Sequence, residues 1–464
     1  MINKFKQTDN YFPHLLLLFI VFQPILDLLT SFSIYVLHMS ATVGIVVRFI
    51  FMLLALGYLL LHHKQKDAKK YILYLCLLGV VLAIGLVNNL MVKSPISLVE
   101  EVKFILKILY PIVLLFGYII AFKELKNNEY TFHKIITYFL YATLIFSISM
   151  IVAMLTSTDF PSYPNSKIGS RGWFFAGNDL SAIFAIMFPI VVLYSVHKTT
   201  SFSKVYYWIP TILAMYASIM IGTKVGYGAI VITLGIALFF LFIEYIIHRK
   251  KEGKGFTYLV NTAVAAIILG GLFVLTPHTP IAKNMSIHLQ IYEHKKSVQE
   301  ENDRREGKLI TEDPEEARKR AQGELTDSEM KSLIYSDRDK LLNIHKQYYK
   351  DAPLSQKLFG MGYAGNYTVK PKLVEMDFHD LFFAFGIVGF LMYLLPLLYF
   401  GIKIFICIIT NFKKLLSVKH MLLASTLVLS LGIGFMSGHV LTAPAVSIFF
   451  AVILAYTIVD LDIE

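Results

Sequence analysis

The sequence predicts an all-α, polytopic membrane protein of about 12 transmembrane helices, with one large loop between the ninth and the tenth. Three observations lead there. Of 464 residues, 56% are hydrophobic and only 16% are Asp, Glu, Lys or Arg, and the mean hydropathy is +0.62, a balance foreign to ordinary soluble domains. Apolar runs long enough to cross the hydrocarbon core, about 20 residues each, recur from residue 12 almost to the C-terminus. Basic residues gather in every second connection between them, the alternation that the positive-inside rule produces.

The first run, 12–32, has successors along the whole chain and reads as a span rather than a cleavable leader before a soluble body. Further spans fall at 40–62, 71–91, 104–122, 135–156, 177–196, 205–222, 225–247, 257–275, 380–402, 420–437 and 441–459. The stretch "WIPTILAMYASIMIGTKVGYGAIVITLGIALFFLFIEY" decides the topology. It holds two spans if the chain turns at "GTK", Gly222 to Lys224; a single long helix would move every later connection to the opposite side. The basic "HRKKEGKGF" that follows favours the turn. The chain then divides into residues 1–275 with nine helices, a loop at 276–379, and residues 380–464 with three helices.

The formal charge of +11 follows this topology. Residues 276–380 hold 17 Lys and Arg against 18 Asp and Glu, leaving 26 against 14 for the rest. Most of that excess lies in "HHKQKDAKK", "FKELKNNEYTFHK", "HKTTSFSK", "HRKKEGKGF" and "NFKKLLSVKH". With Lys4 and Lys6 on the same side, these connections and both termini are expected in the cytoplasm. The bilayer is therefore the expected partner, and nucleic acid is not. Cys76 and Cys407 sit in apolar runs and offer neither a disulfide framework nor a thiolate metal site. The expected outer side has no HExxH or DxD-like pair, so no metal or other cofactor is expected. The Gly222 to Gly226 spacing and the "FGIVGF" run read as close helix packing rather than a nucleotide fingerprint.

Four connections share the outer side: "TDFPSYPNSKIGSRGWFFAGND", "GTK", the large loop and "SGHVLTAP". Within the loop, "TDSE" from Thr326 has the form of a capping box, and "TEDPEEARKRAQGE" is a charged helical face with Pro near its start. Its middle, roughly residues 300–326, is strongly polar. Gly360, Gly362 and Gly365 in "LFGMGYAGNYTVKPK" permit tight turns but do not by themselves specify a phosphate loop.

Several residues carry both a chemical and a plain reading. Arg171 supplies a fork of donors suited to phosphate, or is an interfacial Arg beside Trp173. Asn178 or Asp179 could cap the helix that follows. Lys224, between two apolar helices, needs water, a carboxylate or an anionic ligand. Asp27 in the first span and Arg48 in the second form a candidate intramembrane pair, structural or proton-coupling. His379 is a candidate base at the start of the tenth span, or an interfacial residue beside a capping Asp377 or Asp380. Glu375 would share its helical face if the helix began early enough. His439 is a second outer histidine, and Arg338 is either an anion contact or a solvent-facing helix residue.

The order and common side of "RGWFFAGNDLSAI", "GTKVG", the large loop and its exit "GMGY...FHDLFFAFGIVGF" resemble the O-antigen ligase and polysaccharide polymerase superfamily. That resemblance covers most of the chain. It implies a fold related to membrane glycosyltransferases and metal-independent, inverting glycan transfer from an undecaprenyl-diphosphate-linked donor. The acceptor would be a glycan, a teichoic acid or a lipid, at the outer face of a bacterial cytoplasmic membrane, with polysaccharide-export proteins as partners. Arg171 matches the basic residue before the family's "G-F-x-x-x-N" pattern and would orient the donor diphosphate. Lys224 stands where relatives commonly carry Arg, which keeps the charge and loses the bidentate fork. His379 would activate the acceptor hydroxyl. Asp380 replaces the usual Asn, and together with Asn178 and His439 it is expected on the acceptor side or in support. The resemblance also aligns Arg338 with a basic loop residue on the donor side. A lipid-linked polysaccharide transporter is the principal alternative, and a membrane acyltransferase using His379 a third reading.

Overall fold

The computed structural model describes residues 11–39, 42–126, 134–163, 167–250, 254–306, 314–322, 324–336 and 338–463. Lys4, Lys6, parts of two basic connections and part of the polar loop centre lie outside them. Among the described residues, nine α-helices precede the loop: α1 Tyr11–Tyr35, α2 Val43–Leu61, α3 Lys66–Val92, α4 Leu98–Lys126, α5 Ile135–Leu155, α6 Gly177–Lys198, α7 Ile209–Ile221, α8 Lys224–His248 and α9 Lys254–Leu275. The "GTK" turn divides α7 from α8. Gly222 ends α7 with φ +78, a left-handed conformation that glycine adopts without a Cβ penalty. The Gly222 to Gly226 spacing therefore does not form a packing face along one helix.

The loop contains α10 Pro280–Arg305, α11 Pro314–Ala321, α12 Asp327–Tyr335, α13 Arg338–Asp351 and α14 Leu354–Phe359. At the start of α12 the Thr326 hydroxyl accepts from the Glu329 amide at 3.2 Å while Glu329 accepts from the Thr326 amide at 2.9 Å, a complete capping box. After the loop come α15 Asp377–Thr410, α16 Val418–Met436 and α17 Pro444–Asp460.

Among the described residues, 11 helices are long and apolar enough to cross a membrane. The helix at the expected twelfth span, α17, has only 17 residues. Its expected first residues, 441–443, instead belong to a connection pinned to Asp377, and Pro444 opens the helix at a position where its missing N–H is harmless. α17 packs along α4 and is buried nearly all round, as a helix without a polar face must be. α6 is likewise interior, with 89% of its apolar window buried, whereas α3 and α9, at 22%, face outward.

The two ends of the bundle differ in chemistry. At one end, Lys419 meets Asp460 at 2.7 Å, Lys123 meets Asp67 at 2.6 Å, and Glu244 accepts the Val418 amide at 2.7 Å. These contacts tie the basic connections together. The opposite end gathers residues 156–163 and 167–176, the "GTK" turn, the described parts of the large loop and residues 437–443.

α15 is broken at Gly386, where φ is +63 and ψ −171. The carbonyls freed by the break accept from the loop: Met361 N–H donates to Phe383 O at 2.9 Å and Gly362 N–H to Ala384 O at 3.0 Å. A Cβ on Gly386 would stand 2.5 Å from Gly360 N, so the loop backbone occupies the space a side chain would need. The "FGIVGF" run is thus a helix break that receives the glycine-rich loop, and the Met361 and Gly362 amides serve that break rather than a phosphate. Below it, Lys93 donates to Glu101 at 2.6 Å and to Tyr363 O at 2.7 Å, while Glu101 accepts the Tyr363 amide at 2.8 Å.

Candidate functional site

A cavity of about 210 Å³ opens where the loop elements meet the bundle. One side chain builds much of its floor. Asn284 of α10 donates to Gly222 O at 2.9 Å and Ile168 O at 2.6 Å and accepts the Ile168 amide at 2.7 Å, clamping the chain at Ile168 to the "GTK" turn. Thr223 caps α8, accepting from Gly226 N–H at 3.3 Å, and its hydroxyl meets that of Ser181. Lys224 follows as the first residue of α8, where the helix dipole adds to its positive charge. Its ammonium donates to Leu333 O and, at 3.3 Å, to Ser336 Oγ, both at the C-terminal end of α12.

Two further cations line the same space. Arg338 opens α13 with a side chain only 13% exposed, its Nη2 3.7 Å from Glu375 Oε2. Burial pushes its guanidinium below the ordinary value, while the Glu375 and Asp380 carboxylates oppose that. Lys167 stands 3.2 Å from His288 Nδ1. Glu375 is the one carboxylate lining the cavity among the described residues. It lies outside α15, with φ +64, and so does not share a helical face with His379. Three cations against one carboxylate, with the N-termini of α6, α8 and α13 beside them, are an arrangement that could hold a multiply charged anion.

His439 and Asn178 also line the cavity. His439 Nδ1 lies 3.0 Å from Asp179 Oδ1. Its Nε2 is buried without a partner among the described residues. Burial disfavours the imidazolium, but the Asp179 hydrogen bond and charge, with Asp377 and Glu375 adding to them, leave the His439 pKa above its ordinary value. Neither Asn178 nor Asp179 caps α6, whose first residue follows Ala176 with no side-chain cap; Asp179 turns to His439 instead.

The family described as O-antigen ligase like membrane protein matches residues 9–464. The chain belongs to that family. No curated protein and no solved structure matches it. Within this O-antigen ligase-like protein, the residues carrying the family resemblance fall into separate groups. Lys224 and Arg338 share the cavity. Arg171 does not line it: its guanidinium donates to Tyr35 OH at 2.7 Å and to Phe175 O, and lies 5.9 Å from the ring centroids of both Tyr35 and Phe160. His379, in the first turn of α15, packs its ring 5.7 Å from that of Phe435, and its Nδ1 has no partner among the described residues.

Asp380 accepts the amides of Val374, Glu375 and Met376 at 2.8, 3.0 and 3.2 Å, so its oxygens hold the chain entering α15. Asp377 joins that turn to the next loop by accepting from His439 N–H at 3.0 Å, Val440 N–H at 2.8 Å, Leu441 N–H at 2.7 Å and the Thr442 hydroxyl at 2.6 Å. Away from the cavity, Arg48 meets Asp27 at 2.5 Å and Gln23 at 3.0 Å, a pair satisfied inside the bundle. Among the described residues no group of three His, Cys, Asp or Glu side chains is placed to hold a metal ion. Sequence reading passed over Lys167, Asn284 and the Asp179 to His439 pair. Lys167, four residues before Arg171 in the same polar connection, was within reach; the other two depend on long-range pairing.

Proposed function

We propose that this protein transfers glycan from an undecaprenyl-diphosphate-linked donor to a sugar or cell-envelope acceptor at the outer face of a bacterial cytoplasmic membrane, as a polysaccharide polymerase or ligase. The observation that carries the reading is the convergence of Lys167, Lys224 and Arg338 on one cavity, at the end of the bundle away from the basic connections. A diphosphate needs this concentration of donors, and it gains charge as a leaving group, when such donors stabilise it most. Arg171 would act at the edge, orienting the lipid-linked donor beside α1.

His379 takes the acceptor side. The acceptor hydroxyl oxygen bonds to the donor's anomeric carbon, its proton passes to His379, and the bond from that carbon to the diphosphate oxygen breaks, releasing undecaprenyl diphosphate with inversion. Asp377 supports this arrangement because it ties the turn bearing His379 to the loop bearing His439. The experiment is transfer by purified protein in liposomes loaded with a lipid-linked glycan. A new glycosidic product that disappears in His379→Ala, with the variant still folded, is expected. Movement of the donor between leaflets without product would establish a transporter instead.

A further inference from the structure

We propose that His439, held by Asp179, is a donor-side binding residue whose Nε2–H donates to the diphosphate, so that donor binding depends on the charge of this imidazole. The inference rests on the reading that the cavity takes the donor diphosphate.

The geometry is specific. Asp179 of α6 fixes Nδ1 at 3.0 Å, and Asp377 of α15 fixes the backbone amide of His439 at 3.0 Å. The residue holds φ +66, a conformation uncommon outside glycine and maintained here by the surrounding bonds. With both anchors in place, the remaining ring nitrogen belongs to a residue lining the cavity and is buried without a partner. A buried polar nitrogen left unsatisfied is unfavourable, and an anion in the cavity satisfies it. The cavity cations say which ligand that is: Lys167, Lys224 and Arg338 line the same space, so His439 extends an anion site.

Protonation decides what Nε2 offers. A neutral ring with its proton on Nδ1, directed at Asp179, presents a lone pair that repels a phosphate oxygen; the imidazolium presents N–H. The groups facing the ring are Asp179 from α6, Asp377 from α15 and Glu375 from the segment before it, with the three cations across the cavity. The carboxylates hold the proton on against burial, and the charge is lost as pH rises through the raised value.

The test is equilibrium binding of undecaprenyl diphosphate to the purified full-length protein in detergent between about pH 5.5 and 8.5, a range that spans the ordinary histidine value. Two variants are compared with the unaltered protein: His439→Asn, because Asn tolerates the left-handed backbone, and Asp179→Asn, which leaves the imidazole but removes its carboxylate. The ligand itself gains negative charge over this range, so each pH is compared between proteins. At low pH the unaltered protein is expected to bind roughly tenfold more tightly than His439→Asn, the effect of one hydrogen bond to a charged group. The advantage shrinks as pH rises, and Asp179→Asn loses it at lower pH. Equal affinity of His439→Asn at every pH overturns the proposal, even if glycan transfer proceeds. Binding with the expected pH pattern but no transfer retains the His439 role and removes glycosyl transfer as its purpose.

Discussion

Asp377 and Thr442 meet at 2.6 Å, and the same carboxylate also accepts three consecutive backbone amides, from His439 to Leu441. A buried carboxylate with four donors is a structural hub. Asp377→Asn keeps the shape but turns an NH2 group toward those donors. It is expected to destabilise the protein by on the order of 3 kcal/mol, most of it from amides left unsatisfied. Thermal unfolding in detergent measures this, and an unchanged melting temperature refutes the hub.

Gly386→Ala meets two obstacles at once: φ of +63 and a Cβ 2.5 Å from Gly360 N. Backbone cannot move aside as a flexible side chain can. The variant is expected to lose about 3 kcal/mol or more, with the 360–363 segment becoming susceptible to protease. Gly401, lower in α15 with open space around it, is the control, and Gly401→Ala should be neutral or mildly stabilising.

Lys224→Gln retains a polar side chain while removing the charge. The donor KM is expected to rise about ten- to hundredfold with a smaller effect on stability. A parallel drop in melting temperature and kcat, with donor KM unchanged, would show instead that Lys224 only fastens α12.

The His439 to Asp179 pair also makes a stability prediction. The folded state raises the imidazole pKa above its ordinary 6.5. The pair's contribution is therefore complete below the ordinary value and is lost as pH rises through the folded one. The difference in melting temperature between the unaltered protein and Asp179→Asn should be largest near about pH 6 and narrow toward pH 8.5. A difference independent of pH would mean that the imidazole carries no charge in this pair.

What could be read from sequence was local. The "GTK" turn announced itself by a glycine between two apolar runs of spanning length, and Thr326 and Glu329 by their spacing. Lys224 drew attention because a charge beside apolar helices requires a partner, and Arg338 because a basic loop residue could contact an anion. The Asp179 to His439 pair, by contrast, joins α6 to the connection before α17, and no local pattern records that meeting. Asp179 beside Asn178 looked like a helix cap because capping is the commoner use of such residues. Arg171 was open to two readings, a phosphate fork or an interfacial Arg, and the sequence could not reveal Tyr35 of α1 as its hydrogen-bond acceptor. The spacing of Gly386 and Gly389 suited helix packing equally well; only the backbone angle at Gly386 distinguishes a break.

That break has a mechanical consequence. A continuous helix transmits tilt and axial displacement along its length, so thickening or thinning of the surrounding bilayer would shift whatever sits at its tip. α15 is jointed at Gly386, and its upper segment, with Asp377, His379 and Asp380, is bonded to the 361–362 and 439–441 amides and the Thr442 hydroxyl as well as joined to the lower one. Changes in lipid composition can then tilt the lower rod while the residues above the joint keep their register with the cavity.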